Sequence, residues 1–342
     1  MRNGIQAVFE KLRTCGTLAG LPVHLRGIGR RSAVQKANTH VHLPPNFSAF
    51  ENAAHAVSLA AQQGLVALGA SNYYDFEVYG EFAASCLRSR IYPLFGVEIV
   101  ALLKDLQRTG VLINDPTNPG RMYLCGKGIV RLAPMTAVAR DLMGRFRLND
   151  AKRMRLMVDL VRTVFEANNV ETDLSEEVIV SRIVNRCGAD RESVCLQERH
   201  VAQAFQEEFF RRVPPNERMP KLGALLGRQP RAAVDDPLMV QQEIRACLMK
   251  AGKPAFVPER FVNFQDAYRL ILELGGIPCY PTLADGAEPV CSYEECPEKL
   301  VRTLKRLRVF CAEFIPTRNK PEVLVRYVHE LRDEGIVVTA GT

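Results

Sequence analysis

Two histidines one residue apart, His40 and His42 in A-N-T-H-V-H, are the residues of this sequence best placed to do chemistry. Side chains alternate between the faces of a β-strand, so an H-x-H puts both imidazoles on one side, about 7 Å apart along the strand. Neutral imidazoles are metal ligands, and two of them at a strand end can chelate one divalent cation. The alternative is an incidental pair of strand histidines. Glu98 adds context, as an acid inside the apolar run P-L-F-G-V-E-I. A buried carboxylate is costly without a cation or a donor beside it; the other reading is that Glu98 leaves the core at the strand's end. Two imidazoles and one carboxylate make the ligand count of a catalytic zinc site with one open position. A cation held there would lower the pKa of a bound water to ~7.

Further polar residues follow the other apolar runs: Ser71-Asn72-Tyr73-Tyr74-Asp75, Pro281 to Gly286 with Asp285, Pro316-Thr317-Arg318-Asn319, and Ala340-Gly341-Thr342. A parallel barrel builds its active site from such C-terminal strand ends. Tyr73 and Asn72 can donate hydrogen bonds but ligate metals poorly. Arg318 could hold a phosphate in a bidentate fork with Asn319 orienting it. Their structural alternatives are Arg318 pairing with Glu313 or a loop carbonyl, and Asn319 capping the helix that opens at Pro321.

The elements that must position these residues alternate. Strands are expected at 37–42, 65–70 and 91–99, with helices at 50–63 and 77–89 between them. The pattern returns with helix 264–274, strand 277–281, helix 294–308, strand 309–315, helix 321–334 and strand 336–340. Repeated strand–helix units of this length predict a parallel sheet or barrel. The middle is helical, with segments at 150–168, 176–186 (Asp173 as cap), about 197–212 and about 237–250. The stretches V-P-P-N-E-R-M-P at 213–220 and G-R-Q-P-R at 227–231 read as loop. An apolar stripe at helical spacing, such as Met154, Met157, Leu160, Val161 and Val164, reads as core.

N-T-H-V-H, then G-L-V-A-L-G-A-S-N-Y-Y-D, then P-L-F-G-V-E-I resembles the polymerase and histidinol phosphatase (PHP) domain family, with G-G-I-P-C-Y-P at 275–281 and V-T-A-G-T at 338–342 in the family's order. The resemblance covers about 37–130 and 255–342. It implies a distorted (β/α)7 barrel that binds divalent metals and hydrolyses phosphate esters, with a phosphorylated small molecule or nucleotide as partner. The implied organisation is a basic arm or helix at 1–36, a discontinuous barrel at 37–135 and 255–342, and an all-helical insertion at 136–254. The sequence departs from the family at Asn72-Tyr73, where the motif has Asp-His, and at Pro281-Thr282, where a His is usual; the family's final Asp-x-His has no counterpart up to Thr342. Of the other histidines, His24 lies in the basic leader, His200 in the helical block, and His55 and His329 within helices. A trinuclear site cannot be assembled from these. His40, His42 and Glu98 remain as ligands for one ion of zinc, manganese or iron, with Asp75 or Asp285 needed for a second; no organic cofactor is expected.

Composition sets the outer bounds. The 342 residues are 47% hydrophobic and 24% charged, which excludes a disordered or fibrous chain. Residues 1–36 carry +6 of the net +7, so the remainder is close to neutral. That leader could touch nucleic acid, an anionic surface or an acidic partner, although Phe9 is its single aromatic residue. The ten cysteines form no C-x-x-C pair and read as reduced core thiols of a cytoplasmic protein. No apolar run approaches the ~20 residues of a membrane span. The residues therefore support a PHP-like metal-dependent hydrolase, most plainly a phosphoesterase. One alternative is a degenerate barrel used for binding or regulation. Another is an amidohydrolase-type site, for which no lysine ligand on a middle strand stands out.

Overall fold

In a computed structural model, residues 35–231, 233–258 and 262–341 are described; the basic leader up to residue 34 and Thr342 lie outside them. The chain divides into two compact units, one of residues up to 44, 48–144 and from 261 onward, the other of 45–47 and 145–260.

The first unit carries the sheet. Its strands are β1 (Lys36–Val41), β2 (Leu65–Ala70), β3 (Tyr92–Leu102), β4 (Arg121–Lys127), β5 (Val262–Asn263), β6 (Ile277–Thr282), β7 (Cys311–Phe314) and β8 (Val337–Ala340). They lie in the order β1-β2-β3-β4-β6-β7-β8, with the short β5 beside β3. The helices of this unit are α1 (Ala53–Gln62), α2 (Tyr79–Arg88), α3 (Lys104–Arg108), the start of α4 (Ala137–Ala167), α9 (Phe264–Glu273), α10 (Pro297–Leu307) and α11 (Pro321–Asp333). The sheet is barrel-shaped and nearly closed: the Thr39 hydroxyl of β1 donates to the Ala340 carbonyl of β8 at 3.0 Å.

One strand corrects the expectation of a wholly parallel sheet. β4 runs antiparallel to both β3 and β6. Its sequence R-M-Y-L-C-G-K alternates strictly, with Met122 and Leu124 fully buried on the face where α9 packs. The opposite face carries Arg121, Tyr123, Cys125 and Lys127, the same face as Glu98, because Glu98 pairs with Cys125 across the ladder. The mixture of basic, aromatic and thiol side chains hid the period of two from a reading that sought apolar runs.

The second unit is helical: the remainder of α4, α5 (Glu176–Cys187), α6 (Glu198–Arg212), α7 (Arg218–Leu226) and α8 (Pro237–Ile244), the last continuing as a π-helical turn to Met249. Its core includes Met154, Met157, Val161, Phe165, Phe205 and Phe209. Ser175, not Asp173, caps α5 by accepting from the Val178 N–H; S-E-E-V offers a cap two residues later, and Asp173 instead faces Arg212 at 3.8 Å. Part of the stretch read as loop is α7, where Leu222, Leu225 and Leu226 form a buried stripe and Gly227 ends the helix in the left-handed region.

Behind the strand ends, Glu294 holds the loop that leaves β6. The residue is fully buried, and its Oε2 accepts the N–H groups of Leu283 (3.1 Å) and Ala284 (2.8 Å). Burial pushes its carboxyl up to about 8 despite those hydrogen bonds. A carboxyl whose folded pKa is raised contributes stability that is whole below its unfolded value, near 4.3, and is lost as pH rises through the folded one. Glu294→Gln keeps an acceptor and cannot ionise. The wild type is expected to lose stability relative to this variant as pH rises from about 4 to about 8, by roughly 1.4 kcal/mol for each unit of pKa difference. Thermal melts of both proteins across that range check it; parallel curves would overturn it.

Candidate metal centre

β1 does not follow the even alternation that its H-x-H suggests. Asn38 pairs with Leu68 and Val41 with Ala70, so β1 spends one residue more than β2 over this stretch. The bulge sits at Thr39-His40 and is held by the Asn38 side chain, which accepts the His40 N–H at 3.0 Å. It turns the Thr39 hydroxyl and the His40 ring toward one partner, Glu313 of β7, at 2.7 Å each. Gly69 makes room for the bulge, because a Cβ there would lie 2.3 Å from the Thr39 carbonyl oxygen. Gly341 does so from the other side, where a Cβ would lie 2.5 Å from the His40 Cβ and 2.8 Å from a Glu313 oxygen.

His40 is thereby held between two carboxylates. Glu313 can only accept, so His40 Nδ1 donates to it, and Nε2 is left facing Glu98 Oε2 at 3.0 Å. His42 Nε2 lies 3.7 Å from the same Glu98 oxygen. The other oxygen of Glu98 accepts from the Tyr73 hydroxyl. The Tyr73 ring stacks on His42 with centroids 5.3 Å apart and planes 5° from parallel. Asn72, the departure beside it, is a bracket: its side chain accepts from the Leu43 N–H (2.8 Å) and donates to the Leu43 carbonyl (2.9 Å). The residue after His42 is therefore pinned to the end of β2.

The charges follow from these contacts. Burial would raise the Glu98 carboxyl, but the hydrogen bond from His40 and the charges of His42 and His40 lower it to about 2. Glu313 also falls to about 2, with burial overcome by His40 and Lys127. Burial and the charge of Glu98 raise the Tyr73 hydroxyl, with Tyr123 adding to the shift, so it stays a donor. Lys127 Nζ donates to Glu313 Oε1 at 2.5 Å and to the Thr39 carbonyl at 3.0 Å.

The donor set fits a divalent cation. Zinc bonds of ~2.0–2.2 Å give ligand–ligand edges of roughly 3.4 Å in a tetrahedron, and the separations of 3.0 and 3.7 Å from Glu98 to the two imidazoles bracket that value. The Glu313–His40 contact resembles the carboxylate–histidine link that orients imidazoles in metal sites. His40, His42 and Glu98 form one cluster of donors, and His40, Cys125 and Glu313 form another. The remaining sequence candidates lie elsewhere. Asp75 accepts the Glu77 N–H at 2.9 Å, within its own loop. Asp285 accepts from Asn319 Nδ2 (2.9 Å) and from the Lys320 N–H, and Asn319 also donates to the Leu283 carbonyl. Lys320, not Asn319, occupies the cap of α11. Arg318 is exposed in the turn after β7. Neither aspartate joins a donor cluster among the described residues.

Glu313, Lys127 and Cys125 were not legible as site residues. Glu313 carried the signal that singled out Glu98, an acid in an apolar strand (V-F-C-A-E-F-I), but it was weighed only as a partner for Arg318. Lys127 stands on a middle strand, β4, but as an ammonium paired with Glu313 it is not a metal ligand.

Neither a protein-family model nor a curated protein matches the sequence. Solved structures do. A protein from Bifidobacterium adolescentis assigned as a metal-dependent phosphoesterase aligns with a TM-score of 0.58 at 13% identity, over 91% of this chain and 88% of its own. An amidohydrolase from Chromobacterium violaceum, whose structure holds sulfate and no metal, aligns with a TM-score of 0.58 at 14% identity, over 90% of this chain and 86% of its own. The fold is thus shared with both of these barrels.

Gly341→Ala is expected to push His40 off Glu313, since the new methyl group has no space between them. A loss of about 1–3 kcal/mol in denaturant unfolding is expected, the usual cost of overpacking. A loss under 0.5 kcal/mol would overturn the tight seating of His40.

Proposed function

We propose that this chain is a PHP-type, metal-dependent phosphoesterase acting on a phosphorylated small molecule or nucleotide. The observation that carries this reading is the convergence of His40 Nε2 and His42 Nε2, at the end of β1, on Glu98 in the middle of β3, inside a barrel of this fold. A zinc, manganese or iron ion held there would supply Lewis acidity and lower the pKa of a coordinated water to about 7. Glu313 accepts from His40 Nδ1 and so directs Nε2 toward Glu98, and Tyr73 orients Glu98 by donating to its other oxygen. Among the described residues, Arg121 offers a guanidinium on the site-facing side of β4. It lies on the same face of β4 as Cys125, four residues toward the strand's N-terminal end. Its NH2 donates to the Tyr123 hydroxyl at 3.0 Å, and Asp115 holds its Nε at 3.2 Å. A planar guanidinium fixed on two sides is suited to a phosphate oxygen. Arg318, exposed beyond β7, could reach the distal part of a substrate.

The test is metal content with turnover of a generic phosphoester. Wild type purified without chelator should hold divalent metal and hydrolyse the ester. His42→Ala should lose both, with turnover down at least ~100-fold. Arg121→Met should retain the metal and raise KM by roughly 10–100-fold, the loss of a hydrogen bond to a charged group. Glu313→Gln should weaken metal binding by about 10–100-fold in a competition titration. Bound metal without turnover of any ester would leave the non-catalytic, binding reading of the barrel; no metal after soaking would remove the proposal.

A further inference from the structure

The second cluster of donors, His40 Nδ1, Cys125 Sγ and Glu313, is buried on the other side of the His40 ring from Glu98. Sγ lies 3.9 Å from Nδ1, and Nδ1 lies 2.7 Å from Glu313 Oε2. Nitrogen, sulfur and oxygen donors in one dry place would suit a borderline or soft divalent ion. Its carboxylate is already engaged. Glu313 Oε1 takes the Lys127 ammonium at 2.5 Å and the Thr39 hydroxyl at 2.7 Å, while Oε2 takes the His40 ring. The ammonium is anchored a second time on the Thr39 carbonyl, 3.0 Å away, and its side chain is only 11% exposed. A divalent ion bound to Glu313 would sit within a few ångströms of this fixed positive charge, in an interior that screens little.

We propose that this second donor set is a cation site filled by the chain itself: the Lys127 ammonium stands where another metal ion could bind, so the protein holds one divalent ion, on His40, His42 and Glu98. The inference rests on the metal-centre reading above and sharpens it from one or two ions to one. It also makes Lys127 a positioning residue, because its bonds to Glu313 and to the Thr39 carbonyl hold that carboxylate against His40 Nδ1.

Cobalt(II) tests this without turnover, since a thiolate ligand to cobalt gives a near-ultraviolet charge-transfer absorption. Wild-type protein stripped with chelator and titrated with Co²⁺ should bind about one equivalent and show no such band. Lys127→Ala removes the ammonium from Glu313 Oε1 and leaves Cys125 in place. It should bind about two equivalents and develop the band, and adding Cys125→Ser to Lys127→Ala should abolish it. Two equivalents, or a thiolate band, in the wild type would overturn the inference and leave the metal centre standing. So would one equivalent in a folded Lys127→Ala. No binding by the wild type would instead remove the metal centre, and this inference with it. Should Lys127→Ala not fold, Lys127→Gln, which keeps a donor for the Thr39 carbonyl, takes its place with the same expected readings.

Discussion

The structure of the first unit is organised by one constraint, an imidazole taken out of water between two carboxylates. Burying His40, Glu98 and Glu313 together would be prohibitive if any one of them lacked its partners. Each has them: Glu98 has two imidazoles and a phenol, and Glu313 has the imidazole, an ammonium and a hydroxyl. The carboxylates are held ionised at about 2 only because those donors outweigh their burial. Removing one donor strands a charge, which is why the backbone around them is so specific. The bulge in β1, the missing side chains at Gly69 and Gly341, and the Asn72 bracket on Leu43 all bring these groups within hydrogen-bonding distance.

Much of this architecture was legible. Periodicity and glycine stops placed β2 at its observed bounds and most other barrel elements within a few residues, because half-buried strands and amphipathic helices announce themselves by pattern. His40 and His42 were legible from their H-x-H spacing, and Glu98 because an acid in an apolar strand must be answered by something. Glu313 obeyed that same rule. It escaped because its partners come from β1 and β4, and a sequence does not state which strands adjoin.

What could not be read was the direction of β4. Its residues, R-M-Y-L-C-G-K, contain no apolar run and no helix-linked turn before or after them, and nothing local distinguishes a strand that runs against its neighbours. The bulge was equally hidden, since one extra residue in β1 shows only against the register of β2. The departures of Asn72-Tyr73 from the family pattern were legible as losses. In the fold they are engaged, one fastening the chain after His42 and the other donating to Glu98.

The reversed strand has a consequence that a parallel barrel could not produce. Parallel strands offer the site only their C-terminal ends, so each contributes one or two residues at a similar height. β4 enters from the mouth and descends, and its inward face carries Arg121, Tyr123, Cys125 and Lys127 in that order. Positive charge is thus set above and below the level of Glu98, with a phenol and a thiol between. The lower charge is neutralised by Glu313 and anchored to Thr39, so it acts on the frame that holds His40. The upper one is ion-paired with Asp115, 3.2 Å from its Nε, and donates to the Tyr123 hydroxyl from its NH2. On the proposed reading, a single seven-residue strand would separate two tasks of a metal hydrolase: steadying the ligands of a cation, and receiving the anion on which the cation acts.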